Sequence, residues 1–307
     1  MALTRAEPRL LVWGLCFGRD CRALAPLWLN ALFRIGRWRH DVVLLGDRRV
    51  ESLSHPRLTP INVVPDVERR YGIPAKRWTR ATCMNLKPQI QFHVDLAAYD
   101  YALFMDLDVL VNTDRLEPLL LSKAARGRIC AQRDEAPISA DREWTGARVL
   151  TQEEKRRWGH HAVCAGIVGF PTDTEGLAFI RDWHRVNHAQ GFDGDDQANL
   201  IGLLLRTYGD RWEYLGDTAV AGRAGMPARY EETLLHFSGG WYDLARYAMM
   251  RDYYVRSLHL PHPGLRGLLF RLRLKRMLRA IRDNRRIFRT SPAGSRPRLK
   301  AQGPAPQ

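Results

Sequence analysis

The sequence lacks the features of a disulfide framework, a zinc site or a membrane-spanning helix. Its five cysteines are an odd number without Cys-x-x-Cys spacing, so they predict free thiols in a reducing compartment. No apolar run reaches about 20 residues, the length that a transmembrane helix needs. The run LLVWGLCF at 10–17 is short and broken by Gly14, so it does not predict a signal peptide. We therefore expect a cytoplasmic protein.

Net positive charge is small over most of the chain, although the net charge of the 307 residues is +15. Residues 264–307 carry 13 lysines and arginines against one acidic residue, a net +12, which leaves only +3 for residues 1–263. A body so close to neutral lacks the basic surface of a nucleic-acid-binding domain. Nucleic acid is therefore an unlikely partner, and the basicity needs a local explanation.

Apolar residues recur at helical spacing among the basic residues of the tail. Its apolar positions are Leu265, Leu268, Leu269, Leu272, Leu274, Met277, Leu278 and Ile281. This pattern predicts an amphipathic helix over 264–289 on an anionic membrane surface, where each basic residue contributes on the order of 1 kcal/mol. Packing of the same helix on the rest of the chain is the alternative. Residues 291–307, rich in Pro, Gly, Ala and Arg, are predicted to be disordered.

Apolar runs and helical periodicities alternate along the remaining chain. The predicted strands are 10–17, 41–45, 61–64, 101–111, 162–170 and 233–237, and the predicted helices are 21–35, 87–97, 174–186 and 196–205. This alternation predicts a doubly wound α/β sheet with ligands at the carboxyl ends of its strands. The polar segment 133–160 predicts a surface excursion of the kind that forms acceptor loops or lids.

Two carboxylates interrupt the apolar run YALFMDLDVLV at 101–111. In a strand, residues two apart point to the same face, so Asp106 and Asp108 are expected to converge while Leu107 points away. Two like charges in an apolar setting are unfavourable unless a cation lies between them. We therefore expect a divalent metal that carries phosphate oxygens.

Four motifs follow one another in a recognisable order. They are FMDLD at 104–108, CAGIVGF at 164–170, DGDDQAN at 193–199 and LLHFSGGW at 234–241. Together they resemble GT-A fold glycosyltransferases that use nucleotide sugars, most closely glycosyltransferase family 8. The resemblance implies a Rossmann-like, doubly wound mixed sheet at 1–245. A helical, basic, membrane-associating segment at 246–290 and the disordered tail would follow.

The resemblance implies a metal site and a donor site. It assigns Asp106, Asp108 and His236 as metal ligands, with Mn²⁺ (or Mg²⁺) as the cofactor, and carboxylates with one imidazole suit Mn²⁺. It implies catalytic roles for Asp196 and Gln197, with Asp195 as an adjacent alternative. The implied donor-binding residues are Lys87, Arg80, Asp106, Ala165, Gly166 and Gly239.

The sequence departs from the family pattern at two places. Cys164 stands where the family has Asn, and the family's phosphate-binding Lys is missing from HFSGGWYD at 236–243, where Arg246 or a tail residue would have to substitute. Each motif also has a simpler interpretation. The two Asp of D-x-D are commonly found on solvated loops, His236 fits a core histidine, Asp195-Asp196 fit a helix cap, and Lys87 fits a solvated lysine.

The resemblance implies transfer of a hexose from a UDP-sugar to a glycan or lipid-linked acceptor of the lipopolysaccharide type. It also implies retention of configuration and location at the inner membrane face. A haloacid-dehalogenase-like phosphatase is one rival, but the D-x-D-x-T/V motif of that family lies near the start of the chain. Here Val109 and Leu110 follow the D-x-D, and the motif comes after three strand–helix units. A non-catalytic adaptor that binds membrane or nucleic acid through the tail is the other.

Overall fold

The apolar runs of the sequence form the strands of two sheets in the computed structural model. The structure describes residues 7–260 except 147, 190, 221–230 and 238–242, and also residues 263, 265, 268, 269 and 272. Its strands are β1 (Leu10–Cys16), β2 (Asp41–Gly46), β3 (Leu58–Asn62), β4 (Tyr101–Met105), β5 (Val109–Val111), β6 (Ile129–Arg133), β7 (Val163–Pro171), β8 (Trp212–Tyr214), β9 (Thr218–Val220) and β10 (Leu234–His236).

Helices cover both faces of the larger sheet. They are α1 (Gly18–Asn30), α2 (Val64–Tyr71), α3 (Arg80–Asn85), α4 (Leu116–Ala125), α5 (Gln152–Trp158), α6 (Thr174–Ala189), α7 (Asp196–Leu203) and α8 (Asp243–His259). One core cluster holds Trp28 of α1 and Met250 of α8, and the other holds Trp183 of α6 and Leu200 of α7. Because the two clusters lie on opposite faces of β1, with Val12 in one and Trp13 in the other, the sheet is doubly wound.

The larger sheet is mixed. Its order is β3-β2-β1-β4-β7-β6-β8, in which β3, β2, β1 and β4 are parallel and β7 runs antiparallel to both β4 and β6. The smaller sheet has the order β5-β10-β9. This architecture confirms the predicted α/β fold with a doubly wound mixed sheet.

The predicted third strand at 61–64 is displaced from the observed β3. Strand β3 includes Pro60, which is paired with Leu44 of β2. Proline is tolerated here because β3 is an edge strand whose outer hydrogen-bonding side faces no neighbour. Pro65 lies in the first turn of α2, where a missing N–H does no harm.

The predicted helix at 87–97 is wrong. The α-helical segment is the shorter α3, which begins after Thr79 in a capping box with Thr82. The chain then forms 3-10 turns at Lys87–Phe92 and Leu96–Ala98. Helix α3 ends at Asn85, whose side-chain amide donates to the carbonyl oxygens of Ala81, Phe192 and Gly194 and so connects this segment to the start of α7.

Helix α8 packs against the core, although it crosses the predicted domain boundary at 245. Tyr253 is buried, and its hydroxyl donates a 2.8 Å hydrogen bond to Oδ1 of Asn112, directly after β5. None of the helices that the structure describes has both the length and the apolar character needed to cross a bilayer. The predicted helix at 264–289 and the tail at 291–307 lie almost entirely outside the described residues.

Candidate metal and donor site

The apolar run at 101–111 is divided by a turn that contains both carboxylates. Strand β4 ends at Met105, residues 106–108 turn, and β5 enters the smaller sheet. The backbone N–H of Val109 closes this turn by donating to the carbonyl of Asp106 at 3.0 Å. The prediction of one continuous strand is therefore wrong, because VLV is buried in a different sheet. The turn still brings the two carboxylates together.

Strand pairing brings His236 to the same place. Strand β10 runs antiparallel to β5 with His236 opposite Val109, and the N–H of Phe237 donates to the carbonyl of Asp108 at 2.8 Å. Nε2 of His236 consequently lies 3.3 Å from Oδ1 of Asp108. The antiparallel register therefore places His236 next to the D-x-D turn, although it lies 128 residues after Asp108 in the sequence.

Asp106, Asp108 and His236 form a cluster, each with one ligand atom within 4.8 Å of those of the other two. The side chains of His236 and Asp108 are 4% and 12% exposed, so water screens them poorly. Gly166 leaves room for the cluster, because a Cβ at this position would lie 2.5 Å from Cε1 of His236 and 3.1 Å from Oδ2 of Asp106. The donor set of two carboxylates and one imidazole fits a divalent cation such as Mn²⁺.

A bulge in β7 forms the floor of the site. Against β6, Ala131 is paired with Val168 whereas Gln132 is paired with Cys164, so residues 165–167 are an insertion in the ladder. On the other edge of β7, the carbonyl of Gly166 accepts from the N–H of Asp106 at 2.8 Å, which continues the pairing of β7 with β4. Bulges are common beside active sites. The predicted residues Ala165 and Gly166 therefore do lie at the site.

Lys87 is buried beside this floor and is not a solvated lysine. It is 1% exposed, and its Nζ lies 2.7 Å from Oδ2 of Asp196, 2.9 Å from the carbonyl oxygen of Ala165 and 3.8 Å from Oδ2 of Asp106. The ammonium group also lies 4.9 Å from the ring centroid of Phe104. A buried ammonium group is stable only with such partners, so Lys87 joins the D-x-D turn to the start of α7.

The charges of the cluster shift one another's protonation. Burial raises the pKa of Asp106 to about 6, with a further increase from Asp108, although Lys87 and His236 oppose the change. Burial would lower the pKa of Lys87, but Asp106 and Asp196 outweigh it and raise that pKa above its usual value. Burial would also lower the pKa of His236, yet Cys164 and Asp108 raise it well above the usual value. Such opposing shifts are typical of functional sites.

The three residues predicted as catalytic have different positions. Asp196, the first residue of α7, is buried against Lys87. Asp195 caps α7, because its Oδ1 accepts from the N–H of Ala198 at 3.0 Å. Gln197 braces the backbone: its Oε1 accepts from the N–H of Ala165 at 3.3 Å, and its Nε2 donates to Oδ2 of Asp134. The structure therefore brings Asp196 to the cluster and gives Asp195 a capping contact.

Of the other predicted residues that the structure describes, Arg80 does not join the cluster. Arg80 begins α3 with an exposed side chain and makes no ion pair or hydrogen bond with the described site residues. Gly239 lies outside the described residues, as does the side chain of Arg246.

The excursion at 133–160 is attached to the site through Gln197. Nε2 of Gln197 donates to the carbonyl of Trp144 at 3.1 Å, and Glu154 forms paired hydrogen bonds with Arg206, both 2.7 Å long. The ring of Trp144 is 37% exposed, and the guanidinium carbon of Arg142 lies 5.2 Å from its centroid. Gln197 therefore links Ala165, through two hydrogen bonds, to the backbone of a residue with an exposed indole.

Sequence reasoning missed Gln132, which contacts the far side of His236. Oε1 of Gln132 lies 2.7 Å from Nδ1 of His236, and both side chains are buried. Cys164, the departure from the family pattern, places its sulfur 3.7 Å from the same nitrogen. A polar residue directly after the apolar run ICA of β6 was the signal available, since a buried amide requires a partner.

Comparison with solved structures gives the fold a precedent. The chain is similar to the apo structure of WbbM, a bifunctional glycosyltransferase, with a TM-score of 0.51 and 16% sequence identity. The similarity covers 78% of this chain and 47% of that one, so the chain spans about half of the WbbM chain. The sequence matches no protein-family model and no curated protein. At this identity the similarity concerns the fold alone, and the chain has a fold of the GT-A, Rossmann-like type.

Proposed function

We propose that the protein is a metal-dependent glycosyltransferase that uses a nucleotide-sugar donor. One observation carries the proposal: the cluster of Asp106, Asp108 and His236 lies at the carboxyl end of β4, beside the buried pair of Lys87 and Asp196. In α/β sheets, ligands bind at this edge. The carboxyl ends of β1 and β2 meet at the same edge, where Oδ2 of Asp47 accepts from the N–H of Gly18 at 3.0 Å.

The metal would be held by Asp106, Asp108 and His236, and Mn²⁺ is the ion that this mixed oxygen and nitrogen set favours. When bound, it would act as a Lewis acid that neutralises the diphosphate as the glycosidic bond breaks. Gly166 has no side chain that would occupy the space next to these ligands. Its carbonyl fixes the backbone of Asp106, so the carboxylate is positioned before any ligand arrives.

Lys87 and Asp196 would serve the donor sugar and its phosphates. The carboxylate of Asp196 is a hydrogen-bond acceptor suited to sugar hydroxyls, and the ammonium group of Lys87 is its partner in a buried setting. Gln197 would act indirectly, because its amide is already bonded to Ala165, Asp134 and Trp144. Asp195 would position Asp196 through its cap of α7.

The finer features of the reaction extend the proposal. The resemblance to glycosyltransferase family 8 supports a UDP-hexose donor and retention of configuration at the transferred carbon. The segment 133–160 would contact the acceptor, since Trp144 has an exposed ring and its backbone carbonyl accepts from Gln197. Amphipathic aromatic rings of this kind stack on the apolar faces of sugars. A glycan or a lipid-linked glycan of the lipopolysaccharide type would be the acceptor.

The carboxyl-terminal part would hold the enzyme at an anionic membrane surface. Five of the seven exposed large apolar side chains among the described residues lie between positions 255 and 272, namely Val255, Leu258, Leu265, Leu268 and Leu272. Residues 264–307 add a net charge of +12. Apolar and basic residues together favour binding to anionic lipids. Deletion of 264–307 should abolish cosedimentation with vesicles that contain phosphatidylglycerol and leave nucleotide binding unchanged.

A thermal-stability screen with UDP, GDP and ADP, each with and without Mn²⁺, tests the proposal. A ligand that binds only the folded protein raises the unfolding midpoint, by about 2.7 kcal/mol of stability at a hundredfold excess over Kd. We expect an increase with UDP that requires Mn²⁺. The absence of any response to all three nucleotides would contradict the proposed function.

A further inference from the structure

The two ring nitrogens of His236 have different partners. Nε2 lies 3.3 Å from Oδ1 of Asp108, on the side of the metal ligands. Nδ1 lies 2.7 Å from Oε1 of Gln132, on the opposite side. Gln132 is 1% exposed and His236 is 3% exposed, so water does not compete for this contact. The ring is therefore held from both sides in one orientation.

The chemistry of the amide fixes which nitrogen carries hydrogen. A carbonyl oxygen can only accept a hydrogen bond, so the contact with Oε1 of Gln132 requires a proton on Nδ1. The nitrogen left to bind a metal is then Nε2, which is the one that faces Asp108. The hydrogen bond made by one ring nitrogen commonly determines which nitrogen is metallated.

The bulge in β7 makes this contact possible. Ala131 is opposite Val168, and continuation of that register would place Gln132 opposite Ile167. The insertion of residues 165–167 places Gln132 opposite Cys164 instead, within reach of the His236 ring. The same irregularity that shapes the floor of the site thus brings the amide to the histidine.

Cys164 is a second neighbour of the same nitrogen and a weaker candidate for the role. Its sulfur lies 3.7 Å from Nδ1, compared with 2.7 Å for the amide oxygen. Sulfur is also the poorer hydrogen-bond acceptor. Replacement of each residue separately can therefore distinguish the two.

We infer that Gln132 is a positioning residue that holds the Nδ1–H form of His236 and so presents Nε2 to the metal. The inference rests on the metal site of the proposed function. It assigns to Gln132 a role in metal affinity through His236, without direct contact with the metal or the substrate.

Titration with Mn²⁺ alone, followed by electron paramagnetic resonance of the free ion, tests the inference. Gln132→Met keeps the size of the side chain but removes the acceptor, and we expect metal affinity to fall roughly 10–100-fold, as for other partners of metal-binding histidines. Gln132→Glu restores an acceptor and should bind Mn²⁺ at least as tightly as the wild type. Cys164→Ala is the matched control and should bind like the wild type.

Equal affinity of Gln132→Met and the wild type would overturn the inference, as would a large loss in Cys164→Ala or in Gln132→Glu. Nitrogen-15 NMR of histidine-labelled wild-type protein gives an independent readout even if Gln132→Met fails to fold. The inference requires a proton on Nδ1 both without metal and with Mg²⁺, and an Nδ1 that lacks a proton would refute it. If the wild type binds no Mn²⁺, with or without UDP, the proposed function fails as well. If the wild type binds Mn²⁺ and only the variants behave unexpectedly, the inference fails and the proposed function stands.

Discussion

Removal of the Lys87 ammonium group tests how the site is held together. Lys87→Met leaves the carboxylate of Asp196, a residue that is 3% exposed, without its partner at 2.7 Å. It also removes the nearest cation from Asp106, 3.8 Å away. Loss of one partner from a buried ion pair typically costs about 3–5 kcal/mol, because the remaining charge is desolvated and uncompensated. For a domain of this size the unfolding midpoint should fall by roughly 6–20 °C.

A double-mutant cycle with Asp196→Asn separates the ion pair from other effects of the substitutions. The double variant contains neither charge, and Met fits beside Phe104, whose ring lies 4.9 Å from the ammonium group of Lys87. We therefore expect the double variant to lose less free energy of unfolding than the two single variants together, by at least about 1–3 kcal/mol. The Ala165 carbonyl still loses its hydrogen bond in this variant, so some destabilisation should remain.

Urea unfolding at pH 7 in the presence of EDTA measures the cycle without any contribution from metal. Lys76→Met is the control, because Lys76 is exposed and its replacement should change the free energy of unfolding by less than about 0.5 kcal/mol. The argument is refuted if Lys87→Met loses less than about 1 kcal/mol, or if the losses of the two single variants simply add. Either result would mean that the pair does not hold α7 to the floor of the site.

Three further predictions concern other parts of the molecule. Gly166→Ala should weaken Mn²⁺ binding in calorimetry, because its Cβ would lie 2.5 Å from Cε1 of His236. Gly169 lies in the same strand as Gly166 and is crowded by Tyr101 of β4, so Gly169→Ala should lose stability but keep metal affinity. Trp144→Ala should retain UDP release from a UDP-sugar to water but lose transfer to a saccharide, with Trp144→Phe intermediate; equal transfer by all three proteins would exclude the ring from the acceptor site. Burial, with His188 and Arg70, lowers the pKa of His184 to about 4, so stability should fall as the pH drops below about 6.5, by about 1 kcal/mol between pH 7 and pH 5 after allowance for partial exposure. Urea unfolding should show a smaller loss in His184→Phe, and an unchanged loss would contradict the assignment.

Much of the fold follows from local pattern. Strands β1, β2 and β7 are buried on both faces, so their sequences are continuous apolar runs that are visible without a structure. Helices α1, α6 and α7 were predicted by their apolar spacing, and in α1 and α7 the helical course continues as π-helical turns to Ile35 and Tyr208. Short elements such as β8 and β9, each three residues long, offer too few positions for a periodicity.

The apolar run around Asp106 and Asp108 misled for a physical reason. A continuous strand and a two-stranded arrangement broken by a turn both bury the flanking residues, so both produce the same apolar pattern. Only the pairing of β5 with β10 distinguishes them, and that partner lies more than 100 residues away. The convergence of the carboxylates was predicted correctly, although for the wrong geometry.

The electrostatic core of the site depends on contacts that the sequence does not show. Lys87 and Asp196 are 109 residues apart, and Gln132 and His236 are 104 residues apart. A lysine is usually solvated, so its burial became evident only with the fold. The carboxylates and His236 were identified through the resemblance to glycosyltransferases, whereas Gln132 belongs to no motif that the sequence offered.

The central claim is that the cluster of Asp106, Asp108 and His236 supports metal-dependent cleavage of a nucleotide sugar. The most direct test is UDP release from UDP-glucose and UDP-galactose by the wild type and Asp108→Asn, with and without Mn²⁺. Substitution by Asn removes the negative charge and keeps the shape of the side chain, so the variant should fold, bind no Mn²⁺ with UDP and release no UDP. Undiminished Mn²⁺-dependent release by Asp108→Asn would contradict the account.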